Sequence, residues 1–310
     1  MGFRIVVGWV TNRLGNCGNV FHIQSTNSQL LDVLMKTVEN LDHLRGAIID
    51  MDGTIYIGEQ LFPWTMRFLK ALENAGIRRL FLTNNSAEST AEYASKLRRL
   101  GIPVEDSEVL TAGWATIHYL ITETPYRRIY LVGTPGLRKE FEEGGLTVVN
   151  GDGAELEGDK PDAVVLGFDM TITYARIRKA AELIQNGVPY IATHPDKICP
   201  KENGNVPDCG SMIELLAPAT GQRPLIIGKP HSRMVDAALS RLATTADQTA
   251  VIGDLLPTDM KMAQDNGLTG ILVMSGETSR EDLEGSPVSP SLVVEHTGEL
   301  ADMLQARNPE

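Results

Sequence analysis

Asp50 and Asp52 stand one residue apart, directly after the apolar run Gly46–Ile49 and ahead of Gly53 and Thr54. In an open α/β sheet, ligands bind beyond the carboxyl ends of the strands. An aliphatic strand running into two carboxylates therefore puts them where chemistry is expected, and Gly53 lets the backbone approach a ligand. Two acids at this spacing can divide the work, one attacking and the other shuttling a proton. Three further apolar runs end in the same way. Leu80–Leu82 leads into Thr83, Asn84 and Asn85; Ile226–Ile227 into Gly228 and Lys229; and Val251–Gly253 into Asp254, with Asp259 shortly after. Each has an ordinary structural explanation by itself. Asp52 could be a turn acid, Thr83 and Asn84 could cap the helix beginning near Glu88, Lys229 could be a surface lysine, and Asp254 a turn residue ahead of Pro257. Taken together, at four strand ends, the functional explanation is favoured.

In this order the four segments resemble the four motifs of the haloacid dehalogenase superfamily of phosphohydrolases, over about residues 45–275. The resemblance implies phosphoryl transfer, which is mostly positioning and charge stabilisation. It makes Asp50 the nucleophile that forms an aspartyl-phosphate, and Asp52 the acid that protonates the leaving alcohol and then activates water. It implies Mg²⁺, which takes oxygen ligands and keeps several waters, bound by the Asp50 carboxylate, the Asp52 carbonyl and Asp254. Asp259 would hold Lys229 or a metal-bound water. Thr83 and Lys229 would grip the phosphoryl oxygens, with backbone amides at Met51, at Gly53 and around Asn84 completing the cradle. Leu255 departs from the pattern, because many relatives carry a basic residue there. The acid at 52 favours a phosphatase over a dehalogenase, whose halide leaving group needs no proton donor; a mutase or phosphotransferase could share it.

These residues need elements to hold them. Strand and helix patterns alternate, as an α/β fold requires. The resemblance implies a Rossmann-like three-layer core with a parallel sheet and an inserted α/β cap domain. More than a hundred residues separate Thr83 from Lys229, room for that cap. Within them, strands are predicted at 128–133, 146–149, 163–167 and 189–194, and Thr111 is a plausible cap for a helix over 112–122. Thr171 is expected to cap a helix whose Ile172, Ile177, Ala180, Ala181 and Ile184 recur at helical spacing, ending at Asn186–Gly187. The placement resembles the large-cap (C2-type, subfamily IIA) NagD-like or 4-nitrophenylphosphatase-like branch. The expected division is an extension over 1–44, a core over 45–86 and 195–310, and a cap over 87–194. The stretch 194–212 reads as a polar loop returning from the cap, with His194, Asp196, Lys197 and Asp208 as candidates for leaving-group contacts and Cys209 as a packed small residue. His231 is expected to begin the helix over 232–242. Residues 277–290 read as a loop, 291–294 as an edge strand, and Thr297 as the cap of a closing helix.

Composition narrows the class. A formal charge of −12 argues against a nucleic-acid partner, and no apolar stretch approaches the roughly 18 residues of a membrane span. Three scattered cysteines suggest reduced thiols and a cytoplasmic protein. The apolar run within residues 1–10, Ile5–Val10, is too short and too interrupted for a secretory signal; a start at Met35, or residues 1–34 as a loose appendage, is preferred to a targeting or partner-binding arm. The expected function is hydrolysis of small phosphorylated metabolites: sugar phosphates, nucleoside monophosphates, phosphoglycolate or pyridoxal phosphate. The alternatives are a phosphotransferase or mutase of the same superfamily and a non-catalytic ligand-binding relative. Relatives often dimerise through the cap, which makes a homodimer an option here.

Overall fold

The computed structural model describes residues 41–150, 155, 156, 158, 160–199 and 204–306. The expectations for residues 1–34 lie outside them.

β1 (Gly46–Asp50) is buried up to its last residue, as befits a strand covered on both faces. A turn at 51–54 leads to the hairpin β2 (Tyr56–Ile57) and β3 (Gln60–Leu61), then to α1 (Thr65–Asn74) and β4 (Arg78–Thr83). Ser89 caps α2 (Thr90–Arg99) in a reciprocal capping box with Glu92, so Thr83 and Asn84 are not needed for that purpose. After β5 (Val109–Thr111), the Thr111 hydroxyl accepts from Trp114 N and caps α3 (Ala112–Glu123), as its sequence position predicts.

The next elements are β6 (Arg128–Val132), α4 (Pro135–Glu143), β7 (Thr147–Val148), β8 (Ala163–Leu166) and α5 (Tyr174–Gln185). The cap of α5 is Thr173, not Thr171. Asp169 draws Thr171 away, accepting from both its amide and its hydroxyl at 2.8 and 2.7 Å. β9 (Tyr190–Ala192) follows. The stretch expected to be a loop forms a two-stranded ribbon, β10 (Ile198–Cys199) and β11 (Val206–Pro207), and the start of α6 (Cys209–Thr220). Then come β12 (Leu225–Ile226), α7 (Ser232–Leu242), β13 (Thr249–Gly253), α8 (Lys261–Asn266) and β14 (Thr269–Val273). Within 277–290, Ser279 and Asp282 form a capping box that makes α9 (Arg280–Gly285). β15 (Leu292–Val294) and α10 (Thr297–Ala306) close the described chain, with Thr297 as the first helical residue.

Two parallel sheets result. The larger has six strands in the order β15-β14-β13-β1-β4-β5, and the smaller five in the order β12-β9-β8-β6-β7. In the larger sheet the chain steps outward from β1 through β4 to β5, then returns on the other side through β13, β14 and β15. The switch point of this doubly wound order lies between β1 and β13, where such sheets bind ligands. Ile48, Leu80, Leu82 and Val251 pack in one cluster with Met234, Val235 and Ala238 of α7. The alternate residues Ile49, Phe81 and Ile252 face the other way and are equally buried. At about 1.5–3 kcal/mol for each large aliphatic side chain buried, both faces stabilise the strand ends. The smaller sheet buries Val164, Leu166 and Ala192 against Ile177 and Ile184 of α5 and Ile213 of α6.

Sheet membership falls differently from the expected division at 87 and 194. β5, inside the range given to the cap, pairs with β4 in the larger sheet, and β12, outside it, pairs with β9 in the smaller. The apolar strand Leu225–Ile226 could not announce its partner from sequence.

Candidate active site

The turn after β1, the end of β13 and the segment that follows β12 converge at the switch point. Lys229 reaches it from the smaller sheet: the β12–β9 pairing continues as Ile227 N donates to Ala192 O and Gly228 N to Thr193 O, at 3.1 and 2.7 Å. Its ammonium donates to Asp50 Oδ1 at 2.5 Å and to Asp259 Oδ1 at 2.8 Å. Asp259 lies on a π-helical turn, Leu256–Met260, and its other oxygen accepts from Leu255 N at 3.2 Å. Leu255 thus contributes its amide, whatever its side chain lacks. Asp50, Asp254 and Asp259 each offer an oxygen within 4.8 Å of the others.

Asp254 is 2 % exposed. Its Oδ2 accepts from Glu277 N at 2.8 Å, and its Oδ1 is buried with no hydrogen-bond partner. Glycine makes room for it. A Cβ on Gly53, whose φ is +80°, would lie 2.6 Å from Asp254 Oδ2, and a Cβ on Gly253 would lie 2.4 Å from the Asp259 carboxylate. Ser275 Oγ donates to Gly53 O at 2.7 Å and ties the two turns together.

Burial raises Asp50 well above the ordinary carboxylate range; Lys229 opposes this, and Asp259 and Asp254 add to it. Burial, then the charge of Asp259, push Asp254 up to about 7, against the hydrogen bond from Glu277. Burial works against a charge on Lys229, but Asp259 and Asp50 outweigh it and hold the ammonium charged. A cluster of buried acids short of positive charge, with one orphaned carboxylate oxygen, is a donor set suited to a hard divalent cation.

The remaining expected residues divide. Asp52 is exposed, outside the acid cluster, on the solvent side of the turn. The Met51 side chain is buried, and its carbonyl accepts from Ile55 N at 3.0 Å. Thr83 is half-buried at the end of β4, and its hydroxyl accepts from Asn85 N at 3.1 Å. Asn84 faces the back of Lys229: its Oδ1 accepts from Lys229 N at 2.7 Å, and its Nδ2 donates to Lys229 O at 3.1 Å and to Asp196 Oδ2 at 3.0 Å.

His194 and Asp208, expected among the leaving-group contacts, are corrected by the structure. They are 0 % and 4 % exposed. His194 Nε2 meets Asp208 Oδ1 and His194 Nδ1 meets Thr193 Oγ1, both at 2.9 Å, while Asp208 also caps α6. Charged residues in a glycine- and proline-rich stretch read as solvated, yet this pair satisfies itself inside. Lys197 is exposed, and its carbonyl accepts from Asp208 N at 3.0 Å. Cys209 is packed as expected, its thiol pushed up to about 12 by burial.

Sequence reasoning missed the loop Ser275–Gly276–Glu277, which backs Asp254. Its signal was available, since Gly270–Met274 is a further apolar run ending in a hydroxyl, a glycine and an acid.

Two family models match the chain: haloacid dehalogenase-like hydrolase over residues 47–147 and HAD-hydrolase-like over 226–300. The chain is 32 % identical to the 5'-nucleotidase YutF of Bacillus subtilis over 251 residues, which is 81 % of this chain and 95 % of that protein. It is 33 % identical to an acid sugar phosphatase of Staphylococcus haemolyticus, covering 81 % and 93 % of the two chains. The crystal structure of a 4-nitrophenylphosphatase from Thermotoga maritima superposes with a TM-score of 0.80 at 40 % identity, covering 86 % of this chain and 99 % of that one.

Proposed function

The chain belongs to the haloacid dehalogenase-like hydrolases, in their NagD-like branch, and on that premise we propose that it is a Mg²⁺-dependent phosphatase that hydrolyses small phosphomonoesters through an aspartyl-phosphate on Asp50. The observation that carries this reading is the Lys229 ammonium bridging Asp50 and Asp259 at the switch point, beside the unpartnered Asp254 oxygen.

An oxygen of Asp50 attacks phosphorus as the bond to the leaving alcohol breaks, and Asp52 gives that alcohol its proton. Asp52, now a carboxylate, takes a proton from water; the water oxygen attacks phosphorus, and Asp50 leaves, regenerating its carboxylate and releasing phosphate. The exposure of Asp52 suits a group that meets both leaving group and water. Lys229, the Thr83 hydroxyl and the main-chain amides of the turn after Asp50 stabilise the phosphoryl oxygens. Asp50, Asp254 and the Asp52 carbonyl would hold Mg²⁺, which would supply charge neutralisation when bound.

The named relatives act on nucleotides, sugar phosphates and a nitrophenyl ester, and we take small phosphorylated metabolites of that range as the substrate class. Phosphate release across such a panel, with Mg²⁺ or EDTA, tests the reading. Metal-dependent release by the wild type and none by Asp50→Asn is expected. Release that survives the substitution would overturn it.

A further inference from the structure

Asp196 stands where the strand leaving the smaller sheet turns into the β10–β11 ribbon. Its carboxylate is half-buried and accepts from Asn84 Nδ2 at 3.0 Å. The same Asn84 side chain brackets the Lys229 peptide, accepting from its N–H at 2.7 Å and donating to its carbonyl at 3.1 Å. Asn84 is 6 % exposed, so these bonds are the ones available to it.

The neighbourhood leaves the three residues little freedom. A Cβ on Gly228 would lie 2.6 Å from Asn84 Oδ1 and 2.7 Å from Thr193 O. Asp196 is pinned by its main chain as well: its carbonyl accepts from Gly210 N at 2.7 Å, and a Cβ on Gly210 would lie 2.1 Å from Pro195 O. The buried His194–Asp208 pair closes the ribbon base behind it. A continuous path of main-chain and amide hydrogen bonds thus runs from the ribbon base through Asp196 and Asn84 to the lysine that grips Asp50.

We propose that Asp196 is a positioning residue, which through Asn84 fixes the main chain of Lys229, so that the seating of the ribbon base sets where the ammonium meets the reacting phosphoryl group. This rests on the function proposed above. It replaces the expectation that Asp196 meets the leaving group.

The two roles differ in sign. Removing a carboxylate beside an anion site should by charge alone tighten phosphate binding; loosening Lys229 should weaken it. Asp196→Ala is expected to lower kcat by about 10- to 100-fold, with any rise in KM shared by every leaving group tested. It should also weaken the binding of inorganic phosphate in Mg²⁺, followed by calorimetry. Asp196→Asn keeps an acceptor for Asn84 and should restore both quantities although it lacks the charge. Thermal melting checks that the variants are folded, and Asp196→Ser, too short to reach Asn84, replaces Asp196→Ala if that variant is not. Unchanged kcat, tighter phosphate binding, or a KM increase confined to one leaving group would overturn the proposal. The phosphate titration needs no turnover, so a wild type that binds phosphate but hydrolyses nothing refutes the proposed function while the positioning role is still read from binding.

Discussion

Gly276 lies so close to Asp254 that a Cβ on it would sit 1.9 Å from the Oδ2 oxygen. The Asp254 Cβ would itself be only 2.6 Å away, so turning the carboxylate would not relieve the contact, and the loop after β14 and the acid at the end of β13 fit each other only with glycine.

Gly276→Ala should therefore displace the loop, break the bond from Glu277 N to Asp254 and disorient a metal ligand. Loss of a supporting contact of this kind weakens metal binding by about 10- to 100-fold. Calorimetric Mg²⁺ titration of the folded variant measures it, and wild-type affinity would show that the fit is irrelevant to the metal.

Lys229→Met should lower kcat by about 10²–10³-fold, the usual effect of removing one charge-stabilising donor from a transition state. It also leaves Asp50 and Asp259 without their shared cation. The variant should melt lower than the wild type at pH 8, with the gap narrowing at pH 5 as Asp50, which burial raises, takes up a proton. Melting curves at the two pH values check this.

The metal-free protein should lose stability as pH rises. Burial raises both Asp50 and Asp254, the latter to about 7. An acid raised on folding binds its proton more tightly in the folded chain. Its contribution is fully present below the unfolded value near 3.9 and is lost as pH climbs through the folded one. In EDTA, Tm should fall from pH 5 to pH 8, and saturating Mg²⁺ should flatten the fall. A flat curve in EDTA would contradict the burial argument.

Arg176 and Asp169 form a buried ion pair at 2.6 Å, and Arg176 also donates to the carbonyls of Leu131 and Gly133 at 3.2 and 2.9 Å. Asp169→Ala leaves a buried guanidinium without its counter-charge and should destabilise by about 3–5 kcal/mol. Asp169→Asn, which still accepts a hydrogen bond, should destabilise less. Denaturant melts separate the two.

Much of this site is legible in sequence because a parallel strand ends abruptly. Ile49 to Asp50, Leu82 to Thr83 and Gly253 to Asp254 each change from apolar to polar at one residue, and the larger sheet sets these three ends side by side. What sequence conceals is pairing and burial. Leu225–Ile226 is an apolar dipeptide that either sheet could accept. His194 and Asp208 carry no mark of burial, since only their hydrogen bonds to each other, to Thr193 Oγ1 and from Cys209 N make the interior tolerable. Thr171 and Thr173 are equivalent caps on paper, and Asp169 decides between them. Residue types reveal what could react, while partners across long sequence separations decide what is held still.

The continuation of the β12–β9 pairing through Gly228 matters to anyone who would recombine such proteins. A chimaera that exchanges the smaller sheet at residue 194 would keep Thr193 from one parent and take Gly228, Lys229 and Asp208 from the other. It would join two halves of one hydrogen-bonded strand pair that had never been selected together. A module cut from the end of β5 through Lys229 would carry the lysine with the smaller sheet and leave Asp50 and Asp259, the acids it serves, behind.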